Sequence, residues 1–197
     1  MLIDQHRVPV GIGEHQERGR RQELTVHDLS RTVEILERTP TVLRTLLAGV
    51  SDGWTRGRYG EGTWSAVEVV GHLIVAERDD WMPRLRRILE HGEGRPFDPF
   101  PHNATDDGLR PLSEQLGEFQ QLRGASLRDL KELNLSPADL ERTGMHPALG
   151  RVTAGQLLAT WAVHDLHHVR QVCLAMAWGY RDEVGPWRAY LNTLAPR

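Results

Sequence analysis

Three histidines stand out by their spacing and their neighbours. His164 and His168 lie four residues apart in Val152–Ala177, VTAGQLLATWAVHDLHHVRQVCLAMA, and His72 stands alone among apolar residues in Thr63–Asp80, TWSAVEVVGHLIVAERDD. On an α-helix four residues turn through about 400°, so the two rings project about 40° apart and one turn along the axis. At that separation two imidazoles reach one ion, as the paired histidines of zinc proteases do. Leu157, Trp161, Val172 and Ala175 share the face of His164 and His168, so the pair looks into a core rather than into water. A buried imidazole must satisfy both ring nitrogens. One metal taking a nitrogen each from His72, His164 and His168 satisfies three rings at once, and bundle interiors commonly hold such sites. For a single ring, a hydrogen-bonded core histidine is the simpler account; three inward-facing rings on two helices favour the metal. His167 is the local rival. It lies about 60° from His164 on the side away from His168, where it ligates or supports a ligand from behind. His6, His15, His27, His91 and His102 fall in polar or loop segments, and His146, in MHPALG, stays undecided.

Three neutral imidazoles leave at least one coordination position open, which is the pattern of a catalytic rather than a structural site. Such a metal activates a water or stabilises a thiolate. Hydrolysis also calls for a base. Glu68 and Asp79, one turn before and two turns after His72, are the carboxylates nearest its face. A helix cap accounts equally for Glu68, and plain surface exposure for Asp79. Asp165, about 100° round from His164, suits a supporting partner, and Gln171, one turn beyond His168, suits the pocket wall.

Helices must position these side chains. Residues 1–24 are polar and aperiodic and read as an N-terminal arm, leaving 25–197 as one helical domain. Thr25 is a candidate N-cap for a helix to about Val50, with Leu29, Val33, Leu36, Leu43, Leu46 and Leu47 on its apolar stripe and a kink or restart at Pro40. Residues 51–62 form a glycine-rich loop. Ser65 and Glu68 make a capping box that opens the His72 helix, Pro83 bends it near Trp81, and Gly92 stops it. The stretch 93–110 is a long crossover of the kind that covers a site. A third helix spans about Leu112–Leu133, Ser136-Pro137 starts a short turn, and Thr153 with Gln156 caps the histidine helix, which Gly179 ends. Residues 187–194 suit a short closing helix. No strand alternation or hairpin signal competes. The result is an all-α four-helix bundle with short additional helices.

Composition narrows the partners. The 197 residues suit one full-sized core, and 39% hydrophobic with 26% charged residues is a globular balance. A net charge of −3 without a cationic block argues against nucleic acid and against a polybasic membrane role. No apolar run approaches a membrane span, and the N-terminus lacks a secretory core. The single Cys173 excludes an internal disulfide and points to a cytoplasmic setting; about 180° round from His164, it faces away from the histidines.

The motifs W-S-x-x-E-x-x-x-H-L in the second helix and H-D-x-x-H-x-x-Q in the last long one resemble the DinB/YfiT-like superfamily of metal-binding four-helix bundles, over roughly residues 25–178. The resemblance implies an up-down-down-up bundle, often a homodimer, with zinc or nickel held by residues matching His72, His164 and His168. It implies no DNA binding. Relatives of this kind resemble thiol-dependent S-transferases or isomerases that use a low-molecular-weight thiol, or carry a hydrolase label. The expectation is a metal-dependent enzyme, hydrolase or thiol S-transferase, acting on a small molecule. The alternative is a non-catalytic stress-response or binding protein that the metal stabilises.

Overall fold

The computed structural model describes residues 28–101, 103–105 and 110–194. The arm proposed for residues 1–24 and the cap proposed at Thr25 lie outside them. The first helix, α1 (Leu29–Leu47), is capped by Asp28, whose carboxylate accepts from the backbone N–H groups of Ser30 and Arg31. After a one-turn helix α2 (Asp52–Thr55), the capping box of Ser65 and Glu68 opens α3 (Ala66–Asp79) as expected. The chain breaks at Asp80 and resumes as α4 (Trp81–His91), with Pro83 in the first turn, where its missing N–H costs least. Gly92, at φ 56°, ends it. Helix α5 (Leu112–Glu132), the short α6 (Pro137–Leu140) and the histidine helix α7 (Ala154–Trp178) follow, the last opened by the Thr153–Gln156 capping box. Two 3₁₀ turns, Gly185–Tyr190 and Asn192–Leu194, replace the closing helix; Trp187 and Tyr190 remain exposed. No helix among the described residues is long and apolar enough to cross a membrane.

α1 packs on α5 and α7, and α3 packs on the same two, which makes an up-down-down-up four-helix bundle. The long connection from α4 to α5 lets the second and third long helices run the same way. One departure from the all-helical expectation is a hairpin, β1 (Thr143–His146) with β2 (Gly150–Thr153), in antiparallel register from Thr143↔Thr153 to His146↔Gly150. Four-residue strands are too short to show alternation, and Gly150, at φ 76°, closes the three-residue turn. Gly144 is where the hairpin meets α4: a Cβ there would lie 2.7 Å from Cγ1 of Ile88. The crossover joins the same edge through Phe97 N–H, which donates to Met145 C=O at 2.9 Å.

The core falls into two apolar clusters, one around Leu36, Trp81, Ile88 and Trp161, the other around Leu43, Val70, Leu73, Phe119 and Val172. A buried polar layer accompanies them. Arg123 of α5, 1% exposed, donates in pairs to Glu77 of α3 (3.0 and 3.1 Å) and to Asp165 of α7 (2.6 and 3.0 Å). Its Nη1 also donates to the Leu36 carbonyl of α1 at 2.9 Å. That carbonyl is open because Pro40, four residues on, has no N–H to offer it. Of the kink or restart expected at Pro40, the restart does not occur: α1 runs through it unbroken. The proline creates an acceptor that the arginine fills. Burial pushes the Glu77 carboxyl up, against the pull of Arg123.

Removing the cation strands two buried carboxylates. Arg123→Met is expected to cost about 3–5 kcal/mol in urea unfolding. Exchanging Glu77 and Asp165 for apolar residues of similar size in the same chain should recover most of it. Equal stability of Arg123→Met and the parent would show that the cluster does not hold the bundle.

Candidate metal centre

α3 delivers His72, and α7 delivers His164 and His168 from successive turns of one face. One ligand nitrogen from each ring lies within 4.8 Å of the other two. Nε2 of His164 is 3.1 Å from Nε2 of His72 and 3.0 Å from Nε2 of His168. Imidazole nitrogens around a tetrahedral zinc lie roughly 3.3 Å apart, so the three atoms already have a ligand spacing. The groups behind the rings set their protons. Nδ1 of His72 donates to the Ala104 carbonyl at 2.7 Å, and Nδ1 of His168 to Oε1 of Gln171 at 2.7 Å. Both oxygens only accept, so each Nδ1 carries the proton and each Nε2 presents a bare lone pair to the centre. Nδ1 of His164 is buried without a hydrogen-bond partner, and its ring stands edge-on to Trp81 at 4.9 Å. Burial, then the neighbouring imidazoles His168 and His72, holds His164 down at about 2; burial, then His72, holds His168 down at about 3. Both rings stay neutral, as ligands must.

The rings line a cavity of about 420 Å³. Trp64 packs against His72 at 4.7 Å and stacks on His168 at 6.0 Å, while Phe100 meets His72 at 6.1 Å. Trp81 in turn stacks on Trp161 at 5.8 Å, whose other neighbour is Arg123. His146, undecided from sequence, lines the cavity from the hairpin with Leu149 and Val152. Its Nδ1 accepts from the N–H groups of Ala148 and Leu149, both at 3.1 Å, so its Nε2 bears the proton and acts as a donor.

The other residues singled out in the sequence are placed as follows. Gln171 lines the cavity and holds His168. His167 reaches the cavity rim, with its ring 5.3 Å from His168, and stands outside the three-nitrogen cluster. Asp165 faces Arg123, a structural partner, and is fully buried. The Glu68 carboxylate is spent on Ser65 and on Arg58, and Asp79 is exposed; neither lines the cavity. Among the described residues the carboxylate that does is Asp80, paired with Arg84 at 2.6 Å. It sits at the junction of α3 and α4. Its i,i+4 spacing from Arg84 was the readable signal. Phe97 and Phe100 sit on an aperiodic crossover and had no signal beyond being aromatic.

Comparison with known proteins agrees with this architecture. The family model of the DinB superfamily matches residues 35–172. A protein of Oceanobacillus iheyensis named a putative metal-dependent hydrolase is 25% identical over 162 residues, spanning 82% of this chain and 91% of its own. A Geobacillus kaustophilus protein of the same name is 27% identical over 176 residues, 86% of this chain and 93% of its own. The structure of YfiT from Bacillus subtilis, described as a probable metal-dependent hydrolase with an unusual four-helix bundle topology, superposes with a TM-score of 0.65 at 19% identity, over 92% of this chain and 95% of that one.

Two histidines held neutral predict a pH dependence for the metal-free fold. Unfolded histidine takes a proton near pH 6.5, whereas folded His164 and His168 refuse one until about 2 and about 3. The unfolded chain thus binds more protons below neutrality, and their contribution, full above pH 7.5, is lost as pH falls. The expected slope is up to about 1.4 kcal/mol per pH unit for each ring. Melts of chelator-treated protein from pH 8 to 5 measure it, and a flat profile would contradict it.

Proposed function

The chain belongs to the DinB superfamily, and we propose that it is a metal-dependent hydrolase of a small molecule bound beside His72, His164 and His168. The observation that carries this reading is the convergence of three Nε2 atoms, two with their protons assigned elsewhere, on the wall of a substrate-sized cavity. The names of the two bacterial relatives point the same way. A divalent ion held there, zinc or nickel by its all-imidazole ligands, supplies Lewis acidity with a position left open.

The remaining work falls to the chain's own residues. The Ala104 carbonyl and Gln171 keep His72 and His168 in the tautomer that presents Nε2. Trp64, Trp81 and Phe100 fix the rings and exclude bulk water. Asp80 takes the proton-handling role first considered for Glu68 and Asp79. It is the one acidic side chain lining the cavity among the described residues, and it pairs with Arg84. A thiol-transfer reaction is the second reading. It is favoured by an adjoining cavity of about 270 Å³, lined by Tyr59, Thr63 and Leu174, which shares Trp64 and Gln171 with the first and has room for a second substrate.

Metal content and turnover test the proposal together. Untagged protein should take up about one zinc or nickel per chain, and His72→Ala and His168→Ala should not. Gln171→Ala should weaken metal affinity roughly 10- to 100-fold. Hydrolysis across a panel of small esters and lactones should vanish both in His72→Ala and after chelation. Turnover only when a low-molecular-weight thiol is added would select the second reading. Chelation that lowers the melting temperature without turnover of any substrate would leave a metal-stabilised binding protein.

A further inference from the structure

We propose that Arg84 binds a carboxylate on the substrate, so that the molecule taken into the cavity is a small carboxylic acid with an apolar body. The proposal rests in part on the metal reading above, and charge is the first argument. Three neutral imidazoles leave the two positive charges of a divalent ion uncompensated. Asp80, the only acidic side chain lining the cavity among the described residues, is already matched by Arg84. Asp98, the other carboxylate near Arg84, is exposed and paired with Arg87. Among the described groups an anionic ligand completes the balance, and a neutral one does not.

Geometry is the second argument and is independent of any metal. The Arg84 side chain is 12% exposed and lines the same cavity as the three histidines. Its Nε forms an ion pair with Oδ1 of Asp80 at 2.6 Å, and the guanidinium lies over Phe97 and Phe100, 5.2 and 6.0 Å from their centroids. Gripped from one edge and one face, the planar group is held in place. No hydrogen bond from a described residue occupies its Nη1–Nη2 edge. Two parallel N–H donors of that kind match the two oxygens of a carboxylate. Trp64, Trp81 and Phe100 supply the apolar wall for the remainder of the molecule.

Calorimetric titration of the full chain, metal-free and zinc-loaded, tests this. The probes are benzoate, phenylacetate and hexanoate, each set against its neutral amide. Wild type should bind at least one acid ten or more times more tightly than its amide in both states. Arg84→Gln should lose that preference, and Arg84→Lys, which keeps the charge for Asp80 without the fork, should keep only part of it. Both variants should still take up one zinc per chain, since the histidines are untouched. If no acid outbinds its amide in wild type, or if Arg84→Gln keeps the preference, the proposal is overturned. A wild type that takes up no zinc would sink the metal reading alone, because the metal-free titrations still decide the role of Arg84.

Discussion

One buried guanidinium ties the four long helices together. Arg123 leaves α5 and ends in contact with α1 through a carbonyl, with α3 through Glu77 and with α7 through Asp165. Phe119 and Trp161 lie against it at 5.0 and 5.2 Å. A cation this deep is tolerable only if its donors are matched, and the two carboxylates in turn are tolerable only beside it. The geometry therefore admits little slippage: sliding any helix by one residue would leave at least one buried charge without a partner. An apolar layer of the same volume would hold the helices together but would set their register less sharply.

The centre inherits its geometry from that constraint. Asp165 is the residue next to His164, and Glu77 follows His72 by little more than one turn. Fixing those carboxylates on a common arginine fixes how far α3 and α7 are offset along each other, and so whether three nitrogens on two helices can meet. Trp161 and Trp81, stacked between Arg123 and His164, fill the space from the polar layer to the rings. The last adjustment comes from the crossover, whose Ala104 carbonyl sets the proton of His72.

Much of this was legible in the sequence. Capping boxes are local, and those at Ser65 and Thr153 marked helix starts to the residue. Histidine spacing on an apolar face is also local, and the three rings do come together. What stayed hidden was long-range or short-lived in the pattern. Nothing in the neighbourhood of Arg123 distinguishes it from a surface arginine, since its partners lie 42 to 87 residues away. Pro40 reads as the site of a kink or a restart, and the arginine that fills the carbonyl it leaves open is 83 residues further along the chain. The hairpin is too brief for periodicity. Asp80 lines the cavity from the interruption between α3 and α4, a break signalled by Pro83 without the direction in which it would turn the side chain.

The walls of the centre have an optical consequence. Of the chain's six tryptophans, Trp64 lies face-on to His168 and against His72, and Trp81 lies edge-on to His164. Indole emission responds to charge and to open-shell ions within a few ångströms. Two of the protein's own chromophores thus stand where the electronic state of the imidazoles changes, and their fluorescence reads out that state without an added label.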